Sequence, residues 1–174
     1  MEDGQSEIFI KQRYLSFKMV LSLVGIERDA RPLLAALRDD IKSFKDKIIL
    51  IISRRDDFNV DYDTSYIRHS SEYINKNIVV KLNGLKRLFL LCKEEKTVAK
   101  IDILIGFFND IKEGFDEREP LLQKAWKRDS ENWGIVKTQM IYYLIVLNKK
   151  LDRILRKGGV LDSMEAKFAK KKAA

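Results

Sequence analysis

The sequence predicts an all-α fold: an antiparallel helical bundle of four to five main helices with a short amphipathic, basic C-terminal segment. Three observations lead there. Apolar residues recur at steps of three and four along most of the chain, the period of one helix face. No run alternates apolar and polar residues for long enough to require a strand. Only two prolines and eight glycines interrupt 174 residues, too few for a loop-rich or all-β chain.

A first helix is expected from Ser6, an N-capping residue type, to Val24, with Gly25 closing it. Pro32 falls where the first turn of a second helix belongs. That helix carries Leu34, Leu37, Ile41, Phe44, Ile48 and Ile51, a three-four seam that keeps every apolar residue on one face, and ends near Arg55. The stretch "DDFNVDYDT" reads as an acidic linker. A third helix is expected after Thr64 or Ser65, with the stripe Ile67, Ile74, Ile78, Leu85, Leu88 or Phe89, and Cys92. Thr97 is the candidate cap of a fourth, carrying Val98, Ile101, Ile105, Phe108, Ile111 and Phe115. Pro120 is expected to break it, leaving a short helical turn over Leu121 to Arg128. The last long helix starts at Ser130, carries Trp133, Val136, Met140, Tyr143, Leu147, Leu151 and Ile154, and stops at Gly158-Gly159. Its "MIYYLIVL" run is apolar around the whole circumference, which predicts a central helix enclosed by the others. Val160, Leu161, Met164 and Phe168 form a last amphipathic piece before "KKKAA". The expected organisation is a bundle over 1–159 and a C-terminal extension over 160–174.

Composition narrows the function. Hydrophobic residues at 45% supply a core, so the chain is not a disordered one. The single cysteine, Cys92, has no internal partner for a disulfide, and the expected setting is reducing and cytoplasmic. The acidic N-terminus is not a secretory signal, and no apolar run approaches a transmembrane length.

Catalytic and metal-binding patterns are missing. Asp57, Asn59, Asp61 and Asp63 alternate like the first half of a calcium loop, but Tyr62 and Arg68 stand where the glycine and glutamate belong. A solvated connection is the better reading. His69, the only histidine, has no neighbouring ligand or nucleophile pattern. Phosphate-binding glycine loops are absent, and no cofactor is expected. The carboxylate pairs Asp39-Asp40, Glu94-Glu95 and Glu113-Glu117 read as solvated helix faces. Cys92 reads as a buried, inert thiol. Trp126 and Trp133 read as packing at a helix junction. A non-enzymatic protein follows.

Charge supplies the one functional lead. The chain carries +8; residues 149–174 hold nine Lys or Arg against three acids, leaving +2 for the rest. Such asymmetry points to an anionic partner. On a helical wheel Lys149, Lys150, Arg153, Arg156 and Lys157 fall within a stripe about 120° wide, opposite Leu147, Leu151, Ile154 and Leu155. Basic residues also favour the last turns of helices for purely local reasons, and this accounts for two or three of the five. A second cluster, Lys167 with Lys170, Lys171 and Lys172, lies beyond. The leading expectation is non-specific binding to the phosphate backbone of nucleic acid, DNA or RNA, within a larger assembly. The alternative is an adaptor or structural subunit, homo- or hetero-oligomeric, whose basic end meets an acidic protein. A third possibility is a membrane surface, with Leu161, Met164 and Phe168 inserted.

Overall fold

The computed structural model describes the backbone of residues 3–128 and 130–169, and side chains at 25, 28–127 and 131–167. The bundle prediction holds. Helix α1 spans Asp3–Ser53. Helix α2, Val60–Tyr73, passes through a π-helical stretch, Ile74–Val79, directly into α3, Val80–Leu91. Helix α4 spans Glu95–Arg128, α5 spans Ser130–Leu155, and the short α6 spans Val160–Ala169. Among the described residues there is no strand.

The rods form a closed ring of antiparallel neighbours. Asp40 meets Lys81 at 2.5 Å, while Lys47, further along α1, lies over the ring of Tyr66, earlier in the chain. Arg68–Glu119 at 2.8 Å and Lys86–Asp102 at 2.6 Å join α2 and α3 to α4 in the same opposed sense. Phe115 meets Tyr143 edge to face between α4 and α5. Lys45–Asp152 at 2.5 Å brings α5 back against α1. One aromatic from each rod links the four: Tyr73 stacks on Phe44, Phe44 meets Phe115 edge-on, and Phe115 meets Tyr143. Helix α6 packs on α1 and α5.

The structure corrects several boundaries. Ser6, Gly25 and Pro32 lie inside α1, so no second helix starts at Pro32, and Pro120 does not end α4. A proline within a helix costs roughly 3 kcal/mol. Ala30 and Leu34 on either side of Pro32 are buried, as are Phe115 and Leu122 around Pro120, while both prolines are exposed. Each large buried side chain contributes about 1.5–3 kcal/mol, so the continuous seams outweigh the breakers.

The acidic linker is largely the first turn of α2. Asn59 caps that helix by accepting from the Tyr62 N–H, and Asp63 accepts from the Asn59 N–H in return. Asp61 and Asp63 also complement the positive end of the helix dipole. Asp63 is fully buried and paired with Arg54, so it is not part of a solvated connection. At the α3–α4 turn Lys93 takes the left-handed conformation (φ 56°), and the Glu94 N–H reaches back to the Phe89 carbonyl. Helix α4 then starts at Glu95, and the Thr97 hydroxyl is buried without a hydrogen-bond partner instead of capping.

The π-helical stretch follows from the spacing of buried residues. Ser70, Ile74, Ile78 and Leu82 are all buried at successive steps of four. At 3.6 residues per turn each such step would rotate the stripe by about 40° away from the core. The wider π turn holds Ile74, Ile78 and Leu82 on the inner face.

Two further expectations fail. Helix α5 is one side of the ring, not its axis: Met140, Leu144 and Leu147 are buried, but Tyr142 is 68% exposed. Residues 160–167 pack on the bundle, with Leu161 and Met164 fully buried in the core. Those two side chains are therefore unavailable for membrane insertion, and Phe168 lies outside the described side chains.

Candidate nucleic-acid interface

Three cations stand on the outer face of α5 and two follow in the turn that closes it, where the Arg156 N–H still bonds the Asp152 carbonyl. Lys149, Lys150, Arg153, Arg156 and Lys157 are all exposed, while Leu147, Leu151 and Ile154 opposite them are buried. The apolar half of the helix repeats at three and four and must face the ring, which fixes the basic half outward. Among the described residues none of the five has a carboxylate within ion-pair distance. The one acid in this stretch, Asp152, is turned toward α1 and engaged by Lys45 at 2.5 Å. The tertiary structure thus removes the only counter-charge the sequence places within the ridge.

Neighbouring elements widen the surface. Lys150 borders a small depression with Phe107, Asp110 and Tyr143 at the α4–α5 seam. Arg153 and Arg156 line an open groove of about 480 Å³ together with Lys100 and Ile103 of α4 and Gly158, Gly159 and Val160. Lys100 was not among the expected cations. It is remote in sequence and reaches the ridge only because α4 packs against α5, its Nζ lying 3.4 Å from the Ser163 hydroxyl.

The end of the ridge is built by two glycines. Gly158 adopts φ +75°, the left-handed conformation that closes α5. A Cβ on Gly159 would meet the carbonyl oxygens of Arg153, Ile154 and Arg156 at 2.8 Å. The chain then turns into α6. Asp162 accepts from the Gly158 N–H at 2.8 Å and from Arg38 at 2.6 Å. These two donors hold its carboxyl below the usual carboxylate range, the backbone N–H having the larger effect.

The second basic cluster divides. Lys167 is half-buried and bound to Glu94 at 2.5 Å, so it secures α6 and does not extend the ridge. Lys170, Lys171 and Lys172 lie outside the described residues.

The remaining candidates fall into structural roles. His69 is exposed, with Nδ1 2.7 Å from the Ser65 carbonyl one turn back. Cys92 is half-buried at the end of α3, more open than expected. Trp126 and Trp133 meet edge to face at 5.1 Å across the α4–α5 junction. In the acidic stretch Asn59 caps α2 and Asp63 pairs with Arg54. Among the described residues no three His, Cys, Asp or Glu side chains come together as metal ligands, and no helix is long and apolar enough to cross a membrane. Comparison with known proteins returns no match to a protein-family model, to a curated protein or to a solved structure.

Proposed function

We propose that this is a non-enzymatic, cytoplasmic helical protein that binds nucleic acid through the phosphate backbone, as a subunit of a larger assembly. The observation carrying this reading is the ridge of five exposed cations without ion-pair partners among the described residues, beside an Asp152 already neutralised by Lys45. Cations held on a rigid helix at separate positions contact phosphates independently and read no bases. Lys100, Lys170, Lys171 and Lys172 would extend the contact.

The test is fluorescence anisotropy with unrelated oligonucleotides across a salt series. Log affinity should fall linearly with log salt, by about 0.9 per phosphate neutralised on duplex DNA. Replacing Lys149, Arg153 and Arg156 together with alanine should reduce that slope by up to about three, with helix content unchanged. Absence of binding at low salt would leave the ridge as a solvated helix end. The adaptor reading would then lead; it has its own support in the exposed Val80, Leu90 and Leu91 of α3.

A further inference from the structure

Tyr142 is 68% exposed and lies seven residues before Lys149 on α5. Seven residues make nearly two turns, so Tyr142 sits within about 20° of Lys149 around the helix. Arg153 and Arg156 continue the same line, and Tyr142 to Arg156 covers about 21 Å at 1.5 Å per residue. A single exposed tyrosine is ordinary on a protein surface; its alignment with three cations that have no ion pair among the described residues is the unusual part. The surroundings of the ring add to it. Tyr142 borders a groove of about 360 Å³ lined also by Ile141, Ile145, Thr138, Arg55 and Lys137. This supplies an apolar floor beside the ring and two further cations at its edge, with Asp56 the one acid.

Resting on the nucleic-acid reading above, we infer that the ridge takes single-stranded nucleic acid, with a base stacked on Tyr142 and the following phosphates on Lys149, Arg153 and Arg156. A π-face next to a cationic track is what single strands use, because their bases are free to turn toward the protein. In a duplex the faces of the bases are stacked inside and offer nothing to Tyr142. Tyr142, Lys149, Arg153 and Arg156 also form one narrow track within the ridge, on a convex surface. It follows one backbone and does not embrace the two that flank a duplex groove.

The test compares a fluorescein-labelled deoxyoligonucleotide of mixed sequence with the duplex it forms with its complement, using the full chain. Wild type should bind the single strand more tightly. Tyr142→Ala should weaken single-strand binding on the order of ten-fold, as loss of one stacked base does, and leave duplex affinity and salt slope unchanged. Tyr142→Phe should retain the wild-type preference, since the ring and not the hydroxyl is used. Circular dichroism of both variants checks that the exposed position leaves the bundle intact. Equal binding of both probes, or an unchanged single-strand affinity in Tyr142→Ala, overturns this inference while the backbone reading stands. If wild type binds neither probe at low salt, the backbone reading falls and the inference with it.

Discussion

Helix α6 is held to the bundle by two kinds of contact, and their magnitudes differ enough to separate by mutation. Leu161 and Met164 are fully buried against the core. Lys167 and Glu94 form an ion pair at 2.5 Å, but their side chains remain 34% and 32% exposed. Truncating a buried methionine removes transfer energy and leaves a cavity, together on the order of 2–5 kcal/mol. An ion pair open to water contributes about 1 kcal/mol at most. Met164→Ala should therefore destabilise clearly more than Lys167→Ala. In a chain of this length each kcal/mol moves the melting temperature by about 2–4 °C, so the expected drops are at least roughly 4 °C and at most roughly 4 °C respectively. Thermal and urea unfolding followed by circular dichroism give both values. A Lys167→Ala variant as unstable as Met164→Ala would refute the claim that apolar burial secures the end of the chain.

Three more outcomes follow from local geometry. Lys93→Gly should stabilise the protein by up to about 1 kcal/mol, because glycine relieves the left-handed backbone at the end of α3; urea denaturation reads the gain. Gly159→Ala should cost more than Gly158→Ala, since a methyl at 159 meets three carbonyl oxygens whereas one at 158 meets no atom and suffers only the positive φ; parallel melting curves decide the order. The carboxyl of Asp162 is depressed in the folded state, so its contribution is present above the unfolded value near 3.8 and lost as pH falls through the lower folded value. Asp162→Asn should accordingly flatten the acid limb of a melting-temperature profile, and an unchanged limb would contradict the assignment.

The period of the apolar stripes was enough to read the fold class and most of the core. The seam Leu34–Leu37–Ile41–Phe44–Ile48–Ile51 is buried at every position. Boundaries were less legible, because Gly25, Pro32 and Pro120 signal breaks locally, yet the helices run through all three, and at the two prolines buried residues flank the position on both sides. The cluster at 56–63 misled in the opposite direction: its polar residues suggest a loop, yet Asn59 and Asp63 are the groups that start α2. The ridge was legible because α5 and the turn directly after it carry it. The pairing of Asp152 with Lys45 and of Lys167 with Glu94 was not, since each joins residues more than seventy positions apart. Tyr142 could have been found from its phase relative to Lys149, but the apolar run around it suggested burial on all sides.

The π-helical stretch accounts for the spacing of buried residues in the second rod, α2 to α3. From Ile67 onward its buried positions are 67, 70, 74, 78, 82, 85 and 89. Remove one residue between 74 and 78 and every later position drops by one, leaving intervals of three and four in strict alternation, the seam that α1 already has. The rod is thus a regular heptad carrying a single supernumerary residue, looped out where Asn75 and Lys76 face solvent. Without that local widening, one extra residue would swing Leu82, Leu85 and Phe89 by about 100° and turn the core side of α3 toward water. The bundle instead confines the extra residue to one turn, and the residues on either side keep the same faces toward the core.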